Sequence, residues 1–518
     1  MAKIVFINPK FESSYWGMEY ALPIFAKKCN MPTSALPLLA ALTPAGHEVK
    51  IIDENVEEID FVALEKADIV GVTGMIVQRH QMQKILVELK KRKIYTVLGG
   101  PWVTVQEDAF LGLTKTRFIG EAEITWPEFL LDWENDQVKA RYEQKQKTDM
   151  STLPKPRLDL LKIKKYLFGS IQFTRGCPFN CEFCDIIVTF GRKTRAKTPD
   201  QIIAELENLK RTGFIQVFIV DDNFIGNKTM IEPILDRVIQ WQKDNGYPFA
   251  FFTEASINLA EDKNLLDKMI LANIQCVFIG IESPDEASLK ETKKTQNIRG
   301  EGSLLDRVKR IQKAGIEVWC GMIVGFDNDD STVFKLQKDF ITSSRISQAM
   351  VGMLTAIPKT PLYERLKNAD RLNDLEKDDL GTNIIPLKIS PEELKAGYLK
   401  LSEELYTPEN YFKRVDALYC DPDFYFDKGK RLYLKNHLCK KLWGQAVELL
   451  LGLIILIRLT YKVKNKSLRQ IYYRKGFSYL RKRKDPNLFL VYVIKIVVHY
   501  HYHIVLKRMK EGKIVNSF

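Results

Sequence analysis

Cys177-Pro-Phe-Asn-Cys181-Glu-Phe-Cys184 places three thiols within eight residues. Thiolates at this spacing can ligate three corners of a cubane 4Fe–4S cluster and leave the fourth iron without a protein ligand. An iron left open in this way can chelate the amino and carboxylate groups of S-adenosylmethionine (SAM) and pass one electron into its sulfonium. Homolysis of the C–S bond would then give a 5′-deoxyadenosyl radical. The competing reading is a structural zinc site, but such sites take four ligands, usually as two pairs, and no fourth Cys or His lies near the loop. Cys29, Cys276, Cys320, Cys420 and Cys439 are scattered and read as ordinary core or surface thiols, so no disulfide framework is expected.

A reactive loop needs rigid elements beneath it. The loop, which also carries Arg175 and Gly176, follows an apolar strand at Ser170–Phe173. Further strand-like runs at Gln216–Val220, Phe249–Glu254, Cys276–Ile281, Glu317–Ile323 and Ala349–Ala356 are separated by helical stretches such as Pro199–Arg211, Ile231–Gln242 and Leu304–Ala314. Thr198-Pro199 reads as a helix start with Pro at the first position. Six βα repeats imply a partial (β/α)6 barrel whose working residues sit at the strand C-termini.

The preceding residues also alternate strand and helix, with strands at Lys3–Asn8, Glu48–Asp53, Ile69–Thr73, Tyr95–Gly99 and Arg117–Ile119, a parallel α/β pattern. Small residues follow three of these strands directly, in Thr73-Gly74-Met75, Gly99-Gly100-Pro101 and Gly120-Glu121-Ala122-Glu123. Ligands of open α/β sheets bind at that edge, although glycines there also serve simple tight turns.

With 518 residues, 45% of them hydrophobic, the chain can bury more than one core. Composition divides it into 1–140, a Rossmann-like α/β domain; 141–165, a polar, proline-marked linker; 166–385, the barrel; 386–440, a helical cap over the barrel mouth; and 441–518, a basic, apolar C-terminal region. Of the 78 Lys and Arg and 65 Asp and Glu that make the net charge +13, residues 440–518 hold 18 and three, leaving 60 and 62 elsewhere. The basic excess therefore belongs to a tail.

Its apolar run Ala446–Ile457 reads as too short to span a bilayer, and Leu488–Leu506 is interrupted by Lys495, His499, His501 and His503. Peripheral contact with an anionic membrane and a basic helical subdomain packed on the barrel are both open. No recognition motif accompanies the charge, so nucleic acid is not expected, and the His-Tyr-His-Tyr-His503 run lacks an acidic or Cys partner that would make it a metal site. No signal-peptide pattern opens the sequence, which points to the cytoplasm, with the inner membrane face as a place of peripheral contact.

Residues 170–360 resemble the radical SAM superfamily, whose CxxxCxxC signature carries an aromatic residue before the last Cys, here Phe183. Residues 1–400 resemble its cobalamin-binding branch, with Gly46-His-Glu-Val49 leading to Asp53, then Gly99-Gly100-Pro101, Gly120-Glu-Ala-Glu123 and the cysteine loop in order. The run from Cys177 to Leu206, with Cys184-Asp-Ile-Ile187 and Gly191-Arg-Lys-Thr-Arg-Ala-Lys-Thr-Pro199, is similar to the subgroup containing the bacterial hopanoid 2-methylase, as are Ser14-Tyr-Trp16 and Pro32–Pro44.

This resemblance implies a B12 domain before the barrel and cobalamin contacts at Thr73, Gly74, Met75, Gly99, Gly100, Gly120 and Glu121. It implies SAM contacts at Phe183, at Asp222 and Asn223 for the methionyl amino group, at Glu282 and Ser283 for the ribose, and at Gly325 and Ile357 beside the adenine. One feature departs from the pattern of B12 domains that replace the lower axial ligand. Their Asp-x-His-x-x-Gly is absent, since Asp53 is followed by Glu54, Asn55 and Val56, and His47 and His80 read as packed or solvated side chains. Cobalamin bound without histidine ligation is the expectation.

The implied activity is methyl transfer from methylcobalamin to an unactivated carbon of a small molecule or lipid, such as a polycyclic triterpenoid. One SAM would supply the methyl group and another the radical, with electrons from a flavodoxin or ferredoxin. A non-methylating B12 reaction (cyclisation, rearrangement or oxidation) and an iron–sulfur sensor without turnover stay open beside it.

Overall fold

The computed structural model describes residues 1–373 and 381–514. Residues 374–380, inside the expected barrel segment, and 515–518, at the end of the expected basic region, lie outside them. The chain forms two compact units, one of residues 1–12, 28–227 and 357–364, the other of 13–27, 228–356 and 365–518.

In the first unit β1 (Lys3–Asn8), β2 (Glu48–Asp53), β3 (Ile69–Thr73), β4 (Thr96–Gly99), β5 (Thr116–Gly120) and β6 (Arg141–Gln144) form a parallel sheet in the order β2-β1-β3-β4-β5-β6. Strands covered on both faces read as continuous apolar runs, and Ile69-Val-Gly-Val72 is one. Met82, Ile85, Leu86 and Leu89 of α1 (Arg79–Lys91) close one face over Ile7, Val70 and Leu98. Trp126, Phe129 and Leu130 close the other over Phe6, Val97 and Phe118. Strand order reverses between β1 and β3, which makes the carboxyl ends of these strands the sheet's topological switch point.

β6 corrects the expected boundary at residue 140. Its residues look polar enough for a linker, yet Tyr142 and Gln144 point inward while Arg141 and Glu143 point out, so a half-buried strand joins β5.

Farther along this unit β7 (Gly169–Ile171) pairs in parallel with β10 (Gln216–Ile219). The strand expected to run to Phe173 stops at Ile171, because the Asp221 carboxylate accepts the backbone N–H groups of Phe173 at 2.8 Å and Thr174 at 3.0 Å and turns the chain aside. Thr174–Arg175 (β8) then pairs antiparallel with Arg195–Ala196 (β9). Helix α2 (Pro199–Thr212) starts as the sequence indicates, with Thr198 accepting from the Gln201 N–H, and ends on Gly213 at φ 81°.

In the second unit β11 (Ala250–Glu254), β12 (Ile274–Glu282), β13 (Glu317–Val324) and β14 (Ala349–Met353) are parallel neighbours in that order. They alternate with helices including α3 (Lys228–Asp244), α4 (Leu304–Ala314) and α5 (Val333–Ser343). β14 ends three residues short of the expected Ala356. Helix α6 (Pro391–Leu405) packs against α5 and β14, the outer strand. It covers a sheet edge that would otherwise expose unpaired backbone groups.

Helices α7 (Pro408–Tyr419), α8 (Leu438–Lys462), α9 (Lys466–Lys482) and α10 (Pro486–Lys510) complete the unit, with α7, α8 and α9 each packed on α10. α8 and α10 both run for 25 residues and are long and apolar enough to cross a membrane by length and composition. This corrects the reading of Ala446–Ile457 as too short. The basic residues flanking that run are themselves helical, because long Lys and Arg stems lie along a helix as readily as Leu does. α10 is largely interior, with Lys495, His499 and His501 buried.

Candidate active site

The cysteine loop leaves β8 through Gly176, whose φ of 88° is left-handed and whose would-be Cβ meets the Lys193 carbonyl at 2.7 Å. The Gly176 N–H donates to the Asp222 carboxylate at 2.7 Å, and the Cys177 N–H to the Gly191 carbonyl at 3.2 Å. The Cys184 N–H donates to the Cys181 carbonyl at 3.2 Å, closing the turn that separates the second and third thiols. Cys181 is buried, while Cys177, Phe183 and Cys184 are half-buried. Asn223 reaches the loop as well, its side-chain amide donating to the Cys177 sulfur at 3.7 Å.

Asp221, Asp222 and Asn223 at the end of β10 thus all face the loop. Asp221 is spent on backbone N–H groups and the Thr174 hydroxyl at 2.8 Å. Burial pushes its pKa up to about 7 and that of Asp222 up to about 6.

Two ion pairs tie the loop's flanks to the end of β5. Arg195 grips Glu121 with both guanidinium arms, at 2.6 and 3.0 Å, and Arg175, opposite Arg195 in the β8–β9 pair, binds Glu123 at 2.5 Å. The Thr148 N–H adds a third donor to Glu121 at 2.6 Å. Burial raises the pKa of Glu121, but Arg195, the Thr148 N–H and the nearby Arg175 outweigh it and hold this carboxyl below its usual range. Glu121 is therefore a buried anchor for the cysteine loop.

The other expected cobalamin residues sit at the carboxyl ends of three adjacent strands: Thr73 ends β3, with Gly74 and Met75 following; Gly99 ends β4, with Gly100 following; and Gly120 ends β5. At Gly100, φ 103°, an added Cβ would lie 2.4 Å from the Thr73 hydroxyl, so only glycine lets these turns approach. Gln78 and Thr104, which no local pattern singles out, brace the turns. The Gln78 amide bridges the Met75 N–H at 3.0 Å to the Asn8 side chain at 3.1 Å. The Thr104 hydroxyl donates to the Gly100 carbonyl and accepts from the Gly120 N–H, each at 3.0 Å. Met75 stays 44% exposed at this edge.

Asp53 is buried and accepts from Asn8, Asn55 and Tyr166, the last at 2.8 Å. His47 lies before β2, at the opposite end of the sheet, accepting the Ala2 N–H at 3.2 Å, and His80 is exposed on α1.

Ile357 belongs to the first unit and packs against the core between α1 and the sheet, and the neighbouring Lys359 binds Glu107 at 2.9 Å and the Thr104 carbonyl at 2.7 Å. Ile357 itself is half-buried, one side packed on that core.

In the second unit Glu282 ends β12 with φ 63° and is ion-paired with Lys294 at 2.8 Å. Ser283 is fully buried, its hydroxyl accepting the Asp285 N–H at 3.1 Å, so it shapes the turn after β12. Gly325 has φ 106°, and its N–H donates to Asp329 at 2.8 Å. Asp329, unremarked in the sequence, also accepts from Phe326 and Ser288, and burial pushes its pKa up to about 6.

Residues 28–130 match the B12 binding domain, 171–338 the radical SAM superfamily and 360–514 a domain of unknown function. The chain is 38% identical over 418 residues to an uncharacterized methyltransferase of Synechocystis sp., covering 80% of this chain and 77% of that one. It is 32% identical over 420 residues to the hopanoid C-2 methylase of Rhodopseudomonas palustris, with 80% and 79% covered. The chain belongs to the cobalamin-dependent radical SAM methyltransferases. Solved structures share its fold: TsrM from Kitasatospora setae with tryptophan substrate and a SAM analog (TM-score 0.60, 15% identity, 77% of this chain and 83% of that one), and OxsB with aqua-cobalamin and SAM (TM-score 0.52, 15% identity, 99% and 81%).

The methyltransferase accordingly works with a 4Fe–4S cluster, SAM and cobalamin. Its loop chemistry fits a cluster better than zinc. Among the described residues no three His, Cys, Asp or Glu side chains converge where one ion could sit, whereas a cubane takes one cysteine per iron and needs its thiols spread. The carboxyl ends of β3, β4 and β5 carry Gly74, Gly99, Gly100 and Gly120, a backbone edge at a topological switch point of the kind against which a large cofactor can lie.

Proposed function

We propose that this methyltransferase methylates an unactivated carbon of an apolar, ring-containing lipid. One observation carries the substrate class. Phe252 on β11, Phe278 on β12 and Trp319 on β13 are half-buried side chains of a single sheet face, with ring centroids of Phe252 and Trp319 6.0 Å apart, and the 37%-exposed Trp16 stands edge-on to Phe278 at 5.2 Å. Gly321 lets the Phe278 ring lie against the sheet, since a Cβ there would lie 2.9 Å from that ring. Aromatic walls with few polar groups suit a rigid apolar ligand. The hopanoid C-2 methylase relative supports this choice.

Cys177, Cys181 and Cys184 hold the cluster, and Thr73, Gly74, Met75, Gly99, Gly100 and Gly120 hold cobalamin, with no histidine in the Asp53 turn to ligate it. When bound, the cluster supplies the electron that cleaves SAM, and cobalamin carries the methyl group. Asp222 and Asn223 bind the methionyl ammonium, for which carboxylate and amide oxygens are the natural acceptors, with Phe183 beside them. Glu282 takes the ribose hydroxyls while Lys294 fixes its carboxylate, and Gly325 gives the adenine room. The Glu121–Arg195 and Glu123–Arg175 pairs hold the cysteine loop in fixed register with β5, the kind of placement on which radical transfer depends. A flavodoxin or ferredoxin donates the electron, and the enzyme works in the cytoplasm with its C-terminal helices on the inner membrane face.

The test is turnover of the reconstituted enzyme on a triterpenoid with methyl-labelled SAM. Label in the product together with 5′-deoxyadenosine is expected, and 5′-deoxyadenosine with an unlabelled product would sink methylation of this substrate class.

A further inference from the structure

α8 and α10 are alike in length and composition and opposite in environment. In the most apolar stretch of α10, 67% is buried, against 17% for α8. The inner side of α8, Gly452, Ile455, Leu456 and Leu459, packs inward, and Gly452 lets the Phe489 ring of α10 within 2.8 Å of where a Cβ would sit. Its outer side carries Trp443, Leu450, Ile454, Ile457 and Tyr461, three, four or seven residues apart and so in one stripe, with Trp443 73% and Tyr461 85% exposed. Soluble surfaces seldom leave so continuous an apolar stripe to water.

We propose that α8 is an in-plane membrane anchor whose outer stripe docks the enzyme on an anionic bilayer, a reading that rests on the proposed lipid substrate for its purpose. Charge selects the occupant. Lys440 and Lys441 open the helix, Arg458 and Lys462 flank the stripe, and Lys464 and Lys466 follow it, all exposed. The single acid of α8, Glu448, is half-buried and paired with Lys430 at 3.1 Å. Apolar stripe, basic flanks and an aromatic residue toward each end are the pattern of a helix lying at the headgroup boundary. A second copy would set these like charges against one another.

The helix lies flat because its other side is committed. At ~1.5 Å per residue it is long enough to cross, but crossing would carry α10 into the hydrocarbon. α10 is pinned within its unit by the buried Lys495–Glu317 pair at 2.7 Å and by His499 and His501.

The test uses the full-length reconstituted enzyme and vesicles of phosphatidylcholine with or without about 30 mol% phosphatidylglycerol, at low and high salt. Cosedimentation with the anionic vesicles is expected, weakened by salt. Leu450→Glu/Ile457→Glu should cut the bound fraction at least tenfold, and Trp443→Gln/Tyr461→Gln, at the most exposed positions, should reduce it without lowering Tm. Uncoupled SAM cleavage should stay at the parent's rate in both variants, so that loss of docking is read apart from loss of chemistry. A parent that ignores anionic vesicles, variants that bind as the parent does, or a parent dimer that the variants dissolve would each overturn the anchor. Docking together with failure to methylate a triterpenoid would refute the substrate reading and leave the anchor standing.

Discussion

Glu121, at the end of β5, accepts both guanidinium arms of Arg195, at 2.6 and 3.0 Å, with its own side chain 1% exposed. Such a fork fixes direction as well as distance, and it couples the sheet edge at which cobalamin is proposed to the strand that follows the cysteine loop. Removing one partner of a buried pair strands the other charge, at about 3–5 kcal/mol. Glu121→Ala should lower the urea midpoint accordingly, and Glu121→Ala/Arg195→Met should recover much of the loss. A double-mutant cycle on chemical denaturation measures the coupling, and additive losses would show that the fork is idle.

The three loop cysteines should behave as a set. Cys177→Ala, Cys181→Ala and Cys184→Ala should each abolish visible iron–sulfur absorbance and 5′-deoxyadenosine formation after anaerobic reconstitution, whereas Cys439→Ala, at an exposed site on α8, should leave both at parent levels. Iron and sulfide analysis decides, and normal cluster content in any loop variant would reassign that thiol.

What could be read beforehand was local. The cysteine spacing, the Thr198-Pro199 helix start and the turns after β3, β4 and β5 each lie within a few residues of chain. The Glu121–Arg195 fork is not legible in the sequence, because its partners lie 74 residues apart and no pattern in Gly120-Glu-Ala-Glu123 separates a cofactor contact from an ion pair. Nor does any local pattern show that the short segment after β14 that carries Ile357 belongs to the first unit. The two apolar C-terminal runs look alike in sequence, and only the packing around each shows that one faces inward and the other out.

Asp222 has two readings that a conservative substitution separates. Its carboxylate accepts the Gly176 N–H at 2.7 Å, a task an amide oxygen performs as well, whereas binding an ammonium calls for the negative charge. Asp222→Asn should keep cluster content and Tm while raising the SAM dissociation constant about tenfold, some 1.4 kcal/mol. Asp222→Ala should also lose cluster. Unchanged SAM affinity in Asp222→Asn would leave the residue a purely structural tie.

Acid should loosen the C-terminal helices. His499 is buried between the Tyr472 hydroxyl at 2.7 Å and the Tyr406 carbonyl at 3.1 Å, and burial pushes its pKa down to about 3; His501, against the Ser14 carbonyl at 3.0 Å, falls to about 4. The unfolded chain takes up these protons near the usual value of about 6.5, so the stability is whole above that pH and is lost as pH falls toward the folded values. From pH 7 to 5 each histidine should remove on the order of 2 kcal/mol. Urea midpoints measured across that range should fall steeply in the parent and less in His499→Gln; equal slopes would mean that this ring titrates normally.

Trp16 tests the substrate surface apart from the fold. Its ring meets Phe278 edge-on while over a third of its surface stays open, so a bound ring system can lie against it. Trp16→Ala should reduce methylated product about tenfold, equivalent to ~1.4 kcal/mol of lost binding in the transition state, while 5′-deoxyadenosine formation without substrate continues at the parent's rate. Trp16→Phe should restore part of the product, because a smaller ring keeps an apolar contact. A merely structural Trp16 would behave otherwise: Tm would fall in Trp16→Ala, and cleavage and methylation would decline together.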